Sequence, residues 1–243
     1  PQGWIGKVHA LQAGYLTATD ADIYISVDAD VHFEPEALAK AISLLNEARL
    51  DFLSPYPQQV AITWAERLVQ PLLQWSWMST VLLRGAERFP LTSTVIANGQ
   101  FFVIRGEALR SIGGFANIAR YVLDDIELGR ALVSAGYRGT VADGSRIAAT
   151  RMYSSFGEIK TGYGKSLHAA FGSIIGSIFA ASIIFSSSIL PFLLIPTGNS
   201  LALISLALII LTRVLSAISS RGRVRDALLH PLSAALFIYL LYF

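Results

Sequence analysis

Two aspartates one residue apart, Asp28 and Asp30, close the apolar run Ile23-Tyr24-Ile25-Ser26-Val27. That run reads as a buried strand. Carboxylates at a strand's C-terminal end offer hard oxygen ligands to a divalent cation and to the phosphates it carries. The strand fixes their backbone, and the following turn exposes them at the edge where open α/β sheets bind ligands. Turn capping is the other use of the same residues. A second acidic pair, Asp124-Asp125, opens a helix signal. Either acid could cap that helix, a common role for Asp; Asp124 is the better placed, and two adjacent carboxylates with no structural need for both favour function for the pair. Lys7 follows the turn Gly3-Trp4-Ile5-Gly6 and is either a diphosphate contact or a surface lysine. There is no cysteine, which excludes disulfides and thiolate metal sites. His32 and His168 stand alone, with no second histidine at metal-ligand spacing, and read as structural or interfacial.

The elements that must position these residues alternate strand and helix signals, the pattern of an α/β sheet. After the first strand, Pro35 suits the first turn of a helix carried by Leu38, Ala41, Ile42 and Leu45. Asp51–Ser54 reads as a short strand stopped by Pro55 and Pro57. Val60–Leu83 is helical in period but interrupted by Pro71, and it carries Trp64, Trp75 and Trp77 among polar residues. It is too polar to span a bilayer; it suits either the membrane–water interface or a buried face packed on the sheet. Val95–Ile104 reads as a strand, Glu107–Ile112 as a helix ended by Gly113-Gly114, and Asp125–Ala135 as a helix stopped by Gly136. Tyr137–Val141 and Ile147–Tyr153 read as closing strands.

Composition divides the 243 residues. Hydrophobic residues make up 53% and charged residues 15%, too apolar for an ordinary soluble domain. Through Glu158 there are 13 Lys/Arg and 16 Asp/Glu; beyond it there are six basic residues and one acid, Asp226. The basic balance thus sits in the apolar tail. It points to a membrane surface and gives no argument for nucleic acid. Ala169–Ile195 and Leu201–Ser219 are each long enough to cross a bilayer, and Pro231–Phe243 begins a third such segment. Gly172-x-x-x-Gly176 offers a close helix-packing face. The cluster Arg221-Gly-Arg-Val-Arg225 should be cytoplasmic, which puts the segment before Ala169, two spans back, on the same side. Phe156–Leu167 reads as an interfacial helix leading into the bilayer.

Taken in order, six stretches resemble family 2 glycosyltransferases of the GT-A fold. They are Gly3-Trp4-Ile5-Gly6-Lys7, Val27-Asp28-Ala29-Asp30-Val31, Asn98-Gly99-Gln100-Phe101, Ile112-Gly113-Gly114-Phe115, Leu123-Asp124-Asp125-Ile126-Glu127-Leu128 and Arg151-Met152-Tyr153. Within the family the chain is similar to the membrane-bound, lipid-directed members, the carotenoid and hopanoid-associated glycosyltransferases. The resemblance implies a nucleotide-sugar donor and a Mg²⁺ or Mn²⁺ ion bound by Asp30 and Asp28. It implies Asp125 as the base, with Lys7, Gly113, Gly114 and Arg151 on the donor side and Gln100 and Asp124 on the acceptor side. It implies a partial GT-A domain over residues 1–153, lacking the opening βαβ portion, an interfacial segment over 154–168, and about three transmembrane helices over 169–243. The processive synthases and ceramide glucosyltransferases of the superfamily carry a Gln/Arg-x-x-Arg-Trp motif after the base. Here that region reads Thr150-Arg151-Met152-Tyr153, which argues against a polymer synthase and leaves Arg151 to supply the cation.

The expectation is therefore an inverting, metal-dependent enzyme of the cell membrane. It has a cytoplasmic catalytic part and moves one sugar from a nucleotide-sugar to a lipid or isoprenoid acceptor. The alternatives are a polysaccharide or polyprenyl-phosphate sugar transferase and a catalytically inactive membrane scaffold. A transporter is disfavoured because the spans are expected to lack buried ionisable residues.

Overall fold

The computed structural model describes residues 3–81, 85, 88–171 and 173–242. Leu83, Gly172 and Phe243, which entered the readings of the tryptophan segment, the small-residue face and the last helix, lie outside the described residues. The strands are β1 (Ile23–Val27), β2 (Val31–Phe33), β3 (Phe52–Tyr56), β4 (Gln58–Gln59), β5 (Phe101–Arg105), β6 (Gly139–Asp143) and β7 (Ala148–Thr150). The helices are α1 (Gly6–Leu16), α2 (Ala37–Glu47), α3 (Trp64–Thr80), α4 (Gly106–Ser111), α5 (Asp124–Ser134), α6 (Phe156–Phe171), α7 (Ile174–Ile184), α8 (Leu190–Leu194), α9 (Ser200–Ser219) and α10 (His230–Leu240).

The chain divides into two compact units, Pro1–Gln58 with Val81–Thr150, and Gln59–Thr80 with Arg151–Phe243. This differs from a linear division at residue 153. The segment before Thr80 belongs with the C-terminal helices, because Ala65 and Val69 of α3 share an apolar cluster with Ile159, Tyr163 and Leu240.

The first unit is built on a four-stranded sheet ordered β1-β5-β3-β6. β5 runs antiparallel to both β1 and β3, whereas β3 and β6 are parallel. The sheet is buried on both faces, as the continuous apolar run Phe101-Phe102-Val103-Ile104 requires. Phe102 and Ile104 join Phe52, Val8, Leu109, Leu128 and Leu132 on one face. Phe101 and Val103 join Leu53, Ala41 and Leu45 on the other. Successive residues alternate between the clusters because strand side chains have a period of two. β2 pairs antiparallel with β7, Val31 opposite Thr150.

Three boundaries differ from the sequence reading. β3 runs through Pro55 to Tyr56, because its parallel register with β6 continues to Ala142 and Asp143 while its ladder with β5 covers only Phe52 and Leu53. β5 begins at Phe101, since Val95–Gln100 is irregular and turns at Gly99 and Gln100. Helix α5 begins at Asp124, with Leu123 as N-cap and no side-chain cap.

The second unit is helical. α3 contains Pro71 and buries Ala65, Leu68, Val69 and Leu72. Within its unit it packs among helices, while Trp64 is exposed. Two helical segments, Ile174–Thr197 and Ser200–Ser219, are long and apolar enough to cross a membrane. They expose Ile174, Ile175, Phe179, Leu201 and Leu208, which suits contact with lipid chains. The first includes a π-helical turn at Phe185–Ile189. The third segment forms the shorter helix α10, which covers 11 residues and buries His230, Ser233, Ala234 and Leu240. The expectation of spans without buried ionisable groups does not hold. Arg213 in α9 is 3% exposed, with Asp226 as its charged neighbour. The Asp226 carboxylate in turn accepts from Arg67 Nε at 2.9 Å and from its Nη2. A paired charge is the form in which a buried ion is tolerated.

Candidate active site

The C-terminal end of β1, the N-terminus of α1, the turn before β5 and the first turn of α5 converge in the first unit. Lys7 stands at the centre. Its Nζ lies 2.8 Å from Asp28 Oδ1, 3.7 Å from Asp124 Oδ2 and 3.5 Å from the Gly99 carbonyl oxygen. Burial works against this ammonium, but Asp124 and then Asp28 and Asp125 outweigh it and hold Lys7 above its ordinary pKa. Lys7 is thereby held as a cation among carboxylates, although its side chain keeps 38% of its exposure to solvent.

Asp125 is part-buried. Its Oδ2 accepts from the Gly99 N–H at 2.8 Å and its Oδ1 from the Ile126 N–H at 2.8 Å. Burial and the neighbouring charge of Asp124 raise its pKa, the two N–H donors and Lys7 lower it, and the balance lies at about 6. Burial also raises Asp124, against the pull of Lys7. Asp124 therefore belongs to the charge cluster and does not cap α5, which corrects the division of labour expected for the pair. Gly99 packs closely here: a Cβ there would lie 2.9 Å from Lys7 Nζ and 3.3 Å from Asp125 Cβ, so it would displace the end of the lysine side chain and crowd Asp125.

Asp30 is exposed and turns to β7, where its Oδ2 accepts from Thr150 Oγ1 at 2.9 Å. Asp28 and Asp30 thus sit on one turn, closed by the Val31 N–H to Asp28 oxygen bond at 3.2 Å, but face different partners. No cluster of three or more His, Cys, Asp or Glu is found among the described residues. Two carboxylates at a sheet edge still fit Mg²⁺ or Mn²⁺, which commonly take one or two carboxylates and complete their shell with substrate phosphates and water. Lys7 already neutralises Asp28, so Asp30 is the carboxylate left for an added cation.

The other expected residues are placed differently. Gln100 is 4% exposed, and its Oε1 accepts from Asn98 Nδ2 at 3.1 Å. It is turned into the protein, so it supports the turn. Gly113 and Gly114 both take φ +75°, and a Cβ on Gly114 would lie 2.7 Å from the Tyr15 ring of α1. They end α4 and let α1 approach. Arg151 belongs to the second unit, where its Nη2 donates to Glu66 Oε1 at 2.9 Å. Burial raises the Glu66 pKa, but Arg151 and the Ile62 and Thr63 N–H groups outweigh it and hold the carboxylate ionised. The cation expected of Arg151 is committed to that carboxylate.

Sequence reasoning missed Ser54 and Tyr56 and gave Asn98 and Gly99 no role of their own. Tyr56 is 5% exposed, and burial followed by the Asp125 charge pushes its phenol above the ordinary range. The Asn-Gly dipeptide before a strand is a turn signal. A lone hydroxyl in the buried run Phe52-Leu53-Ser54 was the available sign for Ser54.

The profile of Glycosyl transferase family group 2 matches residues 23–243, and the chain belongs to that family. Its first unit is accordingly of the GT-A glycosyltransferase fold. No curated protein matches the sequence. Among solved structures, a similar one is the mannosyltransferase PcManGT from Pyrobaculum calidifontis, determined in complex with GDP-Man and Mn²⁺. The identity is 18% and the TM-score 0.43, over 93% of this chain. This chain spans 66% of that protein's length.

Proposed function

We propose that the protein is an inverting glycosyltransferase that moves one sugar from a nucleotide-sugar to a lipid or isoprenoid acceptor at the membrane. The observation that carries the reading is the pairing of a carboxylate poised near neutrality, Asp125, with a fixed cation, Lys7, around the Gly99 turn. A base of that strength is ionised at cytoplasmic pH and can take a proton from an acceptor hydroxyl. The acceptor oxygen then forms its bond to the anomeric carbon as the bond to the diphosphate breaks, and the proton stays on Asp125. Lys7 meets charge developing on the departing nucleoside diphosphate. Asp30, with Asp28 behind it, would hold the Mg²⁺ or Mn²⁺, which when bound supplies further positive charge to that diphosphate.

The lipid acceptor is supported by the two apolar spans and by their exposed aliphatic faces. Arg221, Arg223 and Arg225 are exposed and follow the second span, which favours a multi-pass protein with its catalytic unit in the cytoplasm. A scaffold would have no physical need for Asp28, Asp30 and Asp125 together. A radiolabelled sugar-transfer assay on membranes, run with several nucleotide-sugars, tests the reading. Product should partition into organic solvent and carry a single sugar. Label confined to long water-soluble polymer, or to a soluble protein, would favour the polysaccharide alternative.

A further inference from the structure

The turn at Asn98–Gln100 is the hub of the site. The Gln100 carbonyl oxygen accepts from the Asp28 N–H at 3.1 Å, the Gly99 N–H donates to Asp125, and the Gly99 carbonyl lies beside Lys7. The turn is braced internally, with the Gln100 N–H donating to Asn98 Oδ1 at 2.8 Å. The Gln100 carbonyl ties it to the Asp28 N–H just after β1, and a tie to β3 comes from Ser54. Its hydroxyl donates to the Asn98 carbonyl at 3.0 Å and accepts from the Asn98 N–H at 2.8 Å. Ser54 is 0% exposed and lies in β3, in register with Val141 of β6. A short hydroxyl gripping both polar groups of one residue sets both position and tilt of the peptide that follows. That next peptide carries the N–H aimed at Asp125.

We propose that Ser54 is a positioning residue for the base: by clamping Asn98 to β3 it aims the Gly99 N–H at the Asp125 carboxylate. This rests on the reading of Asp125 as the base. Ser54 itself touches neither Asp125 nor any group that meets substrate. The charged and titratable groups acting on Asp125 are Asp124 and Lys7, with Tyr56 close by from the end of β3 and Asp28 acting on both Lys7 and Asp124. Loosening the Gly99 bond removes one of the donors that stabilise the Asp125 anion, so its pKa should rise and activity should fail at a higher pH.

The experiment compares Ser54→Ala and Ser54→Thr with the wild type, as full-length protein in detergent. Ser54→Ala should lower kcat by roughly tenfold to a hundredfold, the scale of a slightly misplaced catalytic group. The donor KM should stay within about twofold. The acidic limb of the pH–rate profile should move upward, and amide exchange at Asn98 and Gly99 should quicken about tenfold. Ser54→Thr keeps the hydroxyl and should return all of these toward wild type. A Ser54→Ala protein with only a lowered Tm, and with the acidic limb and the exchange at Asn98 and Gly99 unchanged, would overturn the proposal. If Asp125→Asn keeps full turnover, the base assignment fails on its own. The exchange measurement, which needs no turnover, then still decides the clamp.

Discussion

Replacing Asp125 by Asn should cut turnover by about 10²- to 10⁴-fold, the usual contribution of a general base. Nucleotide-sugar binding should stay near normal, because the amide keeps the shape of the carboxylate, and its single oxygen can still accept from one of the two N–H groups, Gly99 and Ile126, that Asp125 serves. The same change should stabilise the fold at alkaline pH. Burial and Asp124 raise the Asp125 pKa from the ordinary 3.8 to about 6, so the folded state favours the protonated carboxyl. That contribution to stability is fully present below about pH 4 and is lost as pH rises through about 6. Above pH 6 the ionised side chain costs the folded state on the order of 2–3 kcal/mol, a cost the Asn variant does not carry. Thermal unfolding at pH 5 and pH 8 should show the Tm advantage of Asp125→Asn growing with pH. In the wild type, kcat should fall below about pH 6 as the base becomes protonated. An active Asp125→Asn enzyme, or one whose Asp124→Asn counterpart alone is dead, would mean the two acids have been assigned in the wrong order.

Removal of divalent metal should abolish most activity, and Asp30→Asn should reproduce that loss with the fold intact. Asp30 is exposed, and one of its oxygens accepts from the Thr150 hydroxyl. Asp28 is already neutralised by Lys7 at 2.8 Å, so Asp28→Asn should cost less. Added Mn²⁺ or Mg²⁺ should restore the chelated wild type and fail to restore Asp30→Asn. Calorimetry of donor binding separates the two variants, since Asp30→Asn should weaken binding of the nucleotide-sugar where Asp125→Asn does not. Full turnover in excess chelator, with Asp30→Asn also active, would remove the metal from the reaction and leave charge neutralisation to Lys7.

Much of this protein was legible from local signals. The strand before Asp28 and Asp30 is found at Ile23–Val27 as read, because a five-residue run with four apolar residues, bounded by turn formers, has few other uses. The apolar helix read over Leu201–Ser219, found at Ser200–Ser219 and long enough to cross a membrane, and the helix stop at Gly136 were equally plain, since hydropathy and a left-handed glycine act within a few residues of themselves. The acids expected at the site are named by their ordered motifs, which place each at an element's end.

What the sequence could not settle is which groups face one another. Lys7, Asp28, Gly99 and Asp125 come from four separate elements, and only the fold of β1, β5 and α5 makes one charge cluster of them. Capping by Asp124 was the local expectation; a lysine 117 positions earlier in the chain, at 3.7 Å, drew the side chain away instead. Arg151 reads as a free cation until Glu66, from a helix that sequence proximity assigned elsewhere, takes its guanidinium. Ser54 carries no motif at all, and its place under Asn98 follows from the register of β3 alone. Periodicity and turn chemistry are properties of neighbours in the chain. Charge pairing and pKa are properties of neighbours in space, and burial in a shared low-dielectric site makes them strong enough to override local preference.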